Sequence, residues 1–129
     1  QLNDFFAAKG RDYSIMISDS LRAKHCPSGG EYELGGHPIE IRDNGLAYLK
    51  GTDTIAGSTL HINRGLQLLV EEALVPFDAA LNACTINPAR CLRVDDHKGR
   101  LAAGYDADLV VLEDNYDVCQ TYCKGVAML

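Results

Sequence analysis

Tyr13 to Ser18 constrains this chain most, because its centre, Ile15-Met16-Ile17, is apolar without a break. A strand with one wet face alternates apolar and polar residues, so an unbroken run predicts a strand covered on both faces, as in a parallel sheet. Just ahead, Leu2 to Lys9 has Asn3 and Asp4 at its head, Phe5 and Phe6 within and Gly10 as a stop, which predicts the last turns of a helix. Helix, short loop and buried strand together make one unit of an α/β barrel or wound sheet. With 129 residues, the chain has about half of the ~250 that a (β/α)8 barrel typically takes, so a complete large barrel is excluded.

Past that strand the pattern changes. Residues 20–30 read as a loop with Pro27, Gly29 and Gly30, followed by short strands at Glu31 to Leu34, His37 to Arg42 and Leu46 to Lys50. Gly35-Gly36 and Asp43-Asn44-Gly45 join them, and the Asn-Gly pair supplies the positive φ values of a tight hairpin, so a small antiparallel meander is predicted. From Leu60 to Leu74 the residues Leu66, Leu69, Val70 and Ala73 recur at helical spacing until Pro76 ends the run. A second helix is predicted from about Asp78 to Thr85, and Asn87-Pro88 reads as a cap plus first-turn proline opening a third. Strands return around Leu101, at Asp108 to Leu112, at Tyr116 to Cys123 and at Val126 to Leu129. This order predicts an α/β part interrupted by a β insertion and closed by β strands.

Composition narrows the function classes. Hydrophobic residues make up 47% and charged residues 23%, the balance of a soluble globular protein. Twelve Lys plus Arg against eighteen Asp plus Glu give a net charge of -6 with no basic stripe, which argues against a nucleic-acid partner. No apolar run approaches the ~20 residues of a membrane span and no signal peptide opens the chain, so a soluble, cytoplasmic protein without a membrane partner is expected. Cys26, Cys84, Cys91, Cys119 and Cys123 are an odd number in apolar stretches, predicting reduced thiols packed in the core. The first residue is Gln1 rather than Met, which raises the expectation that the chain is cut from a longer one.

Asp19, directly after the buried strand, is the most informative polar residue. Parallel α/β sheets build their sites at the C-terminal ends of strands, so a carboxylate there is placed for chemistry; the alternative is that Asp19 only caps a turn. His25, His37, His61 and His97 read as solvated or structural, with His25 beside Cys26 as the one local metal candidate.

Three blocks carry a resemblance: Ile17-Ser18-Asp19-Ser20; Gly30-Glu31-Tyr32 with Leu34-Gly35-Gly36; and Thr54-Ile55-Ala56-Gly57-Ser58-Thr59-Leu60. With Asn87-Pro88-Ala89-Arg90 and Gly99-Arg100-Leu101-Ala102-Ala103-Gly104-Tyr105-Asp106-Ala107-Asp108-Leu109-Val110-Val111-Leu112, the chain resembles the C-terminal part of the N-acetylglucosamine-6-phosphate deacetylase family of the amidohydrolase superfamily. The last two motifs are shared across the superfamily, and the Asp19 and Thr54 blocks select the deacetylase. Tyr105 stands where that family often has Lys, and Arg93 where a Gly is common.

The resemblance implies the C-terminal fragment of a metal-dependent (β/α)8, or TIM, barrel plus part of a small β-sandwich, with α+β content as an isolated chain. Residues 1–28 would be the last barrel helix, final strand and catalytic loop, and 29–51 a hairpin insertion of the sandwich. Residues 52–98 would be the substrate loop and C-terminal barrel helices, and 99–129 the sandwich's closing strands. The implied reaction, in carbohydrate metabolism, is hydrolysis of N-acetylglucosamine 6-phosphate to glucosamine 6-phosphate and acetate by the intact enzyme, with this chain inactive alone. Asp19 would be general base toward a metal-activated water and then general acid toward the departing amine. Ile55, Ala56 and Gly57 would contact the substrate, while Ser58 or Thr59 could cap the helix starting near Leu60. The implied divalent metal, zinc or similar, would sit on a Glu and two His upstream, with none bound to this chain. An amino-sugar phosphate substrate and a homo-oligomer are the expected partners. The alternatives are a non-catalytic β-rich binding or scaffolding module, or another amidohydrolase-superfamily enzyme acting on cyclic amides.

Overall fold

The computed structural model describes residues 1–26 and 30–128, so Pro27, Gly29 and Leu129 of the expected elements lie outside it. The chain forms two compact units, Ser18–His61 and a second made of Gln1–Ile17 with Ile62–Leu129.

Four antiparallel strands, β1 (Tyr32–Leu34), β2 (His37–Ile41), β3 (Leu46–Leu49) and β4 (Ile55–Ser58), build the Ser18–His61 unit in the order β1-β2-β3-β4. Gly35, Gly36 and Gly45 take positive φ at the hairpin turns; of the expected Asn-Gly pair, Gly45 does so and Asn44 does not. The fourth strand is a departure from expectation: Ile55–Ser58, read as a loop, pairs with β3. Its apolar stretch is too short to show a period, and cross-strand hydrogen bonding decides. Ile39 and Ala47 are buried within this sheet, and a short 3-10 turn, Arg22–His25, precedes it.

The larger unit begins with α1 (Leu2–Lys9), whose buried residue is Phe6. Helix α2 (Ile62–Gln67) runs into a π-turn at Leu68–Glu72, closed by Ala73 N–H donating to Leu68 O at 2.9 Å. Then come α3 (Phe77–Cys84), α4 (Ile86–Cys91) and an antiparallel sheet of β5 (Leu109–Leu112), β6 (Val118–Cys123) and β7 (Val126–Met128). Phe6, Leu66, Leu69, Val75, Ala79, Ala80 and Ala83 form the core, with Met16, Leu112 and Tyr116 against it. Leu66 and Leu69 come from the predicted helical stripe; the three alanines of α3 let neighbouring elements approach closely.

Four further expectations are corrected. Tyr13 to Ser18 is not a ladder strand: Ser14 is buried and Met16 half-buried, while Ile15 and Ile17 are 42% and 70% exposed. Its Met16 N–H donates to Ala83 O at 2.9 Å, but every strand pair of the chain's two sheets is antiparallel, and none among the described residues flanks this segment. No strand forms around Leu101, which lies in an irregular, exposed stretch. Asn87 does not cap α4; it lies inside the helix, 3% exposed, and its amide donates to Arg11 O (2.9 Å) and Ser14 O (2.8 Å). Four of the five free thiols are not core groups: Cys26, Cys91, Cys119 and Cys123 are exposed, whereas Cys84 packs half-buried against the core, which pushes its thiol up to about 11.

Candidate functional site

The Asp19 turn and the Ile55–Ser58 strand, far apart in sequence, are brought together in one unit. Ser58 N–H donates to Asp19 O at 2.8 Å, Leu21 N–H donates to Ser58 O at 3.0 Å, and Ser20 and Ser58 form an isolated parallel bridge. The Ser58 hydroxyl donates to Ser18 O. Asp19 itself is exposed and has φ 48, a left-handed conformation that Asp tolerates better than most residues.

The strand that meets this turn is built for close approach. Register shifts between Ala47 and Tyr48, with Tyr48 opposite Ile55 and Ala47 opposite Gly57, so Ala56 is the extra residue of a β-bulge. Bulges re-aim the residues beside them. Gly57, buried with φ 140, could not carry a side chain: an added Cβ would lie 2.9 Å from Leu21 Cγ and 3.1 Å from Asp19 O. Ile55 is 57% exposed and Ala56 half-buried. The β4 residues expected to contact substrate therefore share a strand with Ser58, which bonds the expected acid/base residue, in an arrangement that leaves the Asp19 and Ile55 side chains exposed.

Sequence reasoning missed the role of Ser58. Expected as a possible helix cap, it accepts Leu60 N–H at 3.1 Å, but α2 starts only at Ile62, and its other bonds go to the Asp19 turn. Thr59 is no cap either; its hydroxyl donates to Gly45 O at 3.0 Å. Nothing local signals these bonds, because Ser58's hydroxyl partner is 40 residues away. A cleft of about 330 Å³ in the same unit is lined by Leu21, Arg22, Tyr32, Leu34 and Ile39 among others, and Asp19 is not part of its lining.

The His25 and His61 rings meet edge to face with centroids 5.4 Å apart. His97 Nδ1 lies 2.6 Å from Asp96, and this hydrogen bond holds the Asp96 carboxyl below its usual range. Among the described residues, no three His, Cys, Asp or Glu side chains converge to hold a metal ion. No helix among them is long and apolar enough to cross a membrane.

Comparison with known proteins matches residues 21–128 to the amidohydrolase family. Among curated relatives, the N-acetylglucosamine-6-phosphate deacetylase of Bacillus subtilis is 37% identical over 120 residues, covering 93% of this chain and 30% of the relative. The Homo sapiens protein of the same name is 32% identical, covering 86% of this chain and 27% of its own length. Among solved structures, N-acetyl-D-glucosamine-6-phosphate deacetylase from Mycobacterium smegmatis superposes with TM-score 0.90 at 30% identity, over 99% of this chain and 34% of that one. A mutant of that protein in complex with N-acetyl-D-glucosamine-6-phosphate gives TM-score 0.88 at 32% identity, over 98% of this chain and 33% of that one. The chain thus spans about a third of the length of these relatives.

Proposed function

The chain belongs to the amidohydrolase family, and on that premise we propose that it is the C-terminal third of an enzyme that deacetylates N-acetylglucosamine 6-phosphate. Asp19 is the acid/base group of that reaction, and Ile55, Ala56 and Gly57 line the sugar's path. The carrying observation is the attachment of the Asp19 turn to the bulged end of β4, with Ser58 N–H on Asp19 O at 2.8 Å.

In this reading the Asp19 carboxylate takes a proton from a water whose oxygen attacks the acetyl carbonyl carbon. A tetrahedral intermediate forms, the C–N bond breaks, and Asp19 returns the proton to the departing nitrogen, giving acetate and the free amine. Gly57 lets the Asp19 turn close against β4, the small side chain of the half-buried Ala56 keeps the bulge low, and Ile55 offers an exposed apolar contact. The family's divalent metal does not fit the donors of this chain, since no three metal-binding side chains converge among the described residues. In this reading its ligands would come from the part of the enzyme outside these residues, as would the strands of a (β/α)8 barrel against which Tyr13 to Ser18 would pair. The two antiparallel sheets would be parts of the small β-sandwich. The alternatives, a non-catalytic binding module and a cyclic amide hydrolase, gain no specific observation here.

The test is Asp19→Asn in the full-length enzyme, assayed for acetate release from N-acetylglucosamine 6-phosphate. Turnover is expected to drop about 100- to 10,000-fold with an unchanged circular dichroism spectrum, the usual weight of a general acid/base group. Near-normal turnover would sink the assignment. Residues 1–129 alone are expected to release no acetate.

A further inference from the structure

Resting on the reading of Asp19 as the acid/base group, we propose that Ser58 is its positioning residue, so that β4 frames the carboxylate as well as the substrate-facing backbone. Among the described residues no hydrogen bond or ion pair holds the Asp19 carboxylate, so its direction is set through its backbone. That backbone has φ 48, in the left-handed region, a conformation that persists where neighbours hold it.

The neighbour that holds it is Ser58. It is 8% exposed and spends each of its polar groups, three of them on this turn. Its N–H donates to Asp19 O (2.8 Å), its carbonyl accepts Leu21 N–H (3.0 Å), and its hydroxyl donates to Ser18 O while accepting Leu60 N–H (3.1 Å). Asp19 is thereby bracketed on both sides and bonded at its own carbonyl by one buried residue. The hydroxyl is the separable part, because the main-chain bonds draw on no side-chain atom, whereas the bond to Ser18 O requires the hydroxyl. Losing it frees the residue immediately before Asp19 to rotate, and misplacement by a fraction of an ångström is enough to slow proton transfer. The bonds run within a single unit of the fold, so the clamp is local.

The experiment compares Ser58→Ala, Ser58→Thr and Ser58→Val in the full-length enzyme, Thr and Val having nearly the same shape with and without the hydroxyl. Ala and Val are expected to lower kcat about ten- to hundredfold with KM changed less than about twofold, and Thr to restore most of it. In the Asp19→Asn background, adding Ser58→Ala is expected to cost almost nothing further, because a group that acts through Asp19 has nothing left to position. Hydrogen–deuterium exchange at Leu21 and Ser58 should be faster in Ala and Val than in Thr. Equal activity of Val and Thr, a loss confined to KM, or additive losses in the double variant would each overturn the proposal. Near-normal turnover of Asp19→Asn would instead defeat the underlying reading, and the exchange rates would still show whether the hydroxyl clamps the turn.

Discussion

Gly57 shows how much of the candidate site depends on a missing side chain. Its φ of 140 and the atoms waiting at 2.9 Å and 3.1 Å leave no place for a methyl group. Gly57→Ala is therefore expected to destabilise the chain by about 1–3 kcal/mol through strain and displacement of the Asp19 turn. Thermal denaturation of the variant measures this, and an unchanged Tm would contradict it. Arg93 presents the converse: it adopts φ 58, a left-handed conformation suited to glycine, which accounts for the Gly common there in the family that the chain resembles. Asn87 carries a third lesson at this scale. A residue whose sequence position suggested a cap is buried so that its amide can satisfy two carbonyls of the segment after α1, a task that Ala could not perform without leaving both oxygens short of a donor.

At the scale of elements, ion pairs set how loops join sheets. In the β2–β4 meander, Arg42 stacks over the Tyr48 ring at 3.8 Å, bonds Glu40 and Asp53, and donates to Thr52 O. Ahead of β5, Lys98 Nζ bridges Asp106 at 2.7 Å and Asp108 at 2.5 Å, and Asp108 also accepts Lys124 N–H from the β6–β7 turn. The Lys98 hydrogen bonds hold both carboxyls below their ordinary range. A depressed carboxylate stabilises the fold above its unfolded pKa, ~3.9, and that contribution fades as pH falls through the folded value. Lys98→Met is thus expected to be less stable than the parent at pH 7, with the gap closing as pH drops below about 4. Urea denaturation of both chains across this range measures it; a gap that widens in acid would refute the assignment.

For the whole molecule, the important fact is how much apolar surface stays uncovered: Tyr13 is 81% exposed, Ile17 70% and Leu101 87%. The Tyr13 to Ser18 segment combines such side chains with a backbone that joins no sheet ladder, the combination that invites edge-to-edge association. Sedimentation velocity on residues 1–129 is expected to show self-association that Ile17→Lys weakens, and a strictly monomeric parent at high concentration would count against this. The sequence by itself determined whatever depends on near neighbours. Leu2–Lys9 as a helix, the three hairpin strands with their glycine turns, the helical stripe of Leu66 and Leu69, and the place of Asp19 after an apolar run all rest on periods, caps and turn chemistry within a few residues. Only the tertiary structure decided that Ile55–Ser58 is a strand, that Asn87 serves the segment after α1, that four of the five cysteines face outward, and that Ser58 grips the Asp19 turn. Those outcomes depend on hydrogen bonds and burial between segments dozens of residues apart, where the local pattern is silent and the partner across the contact chooses the conformation.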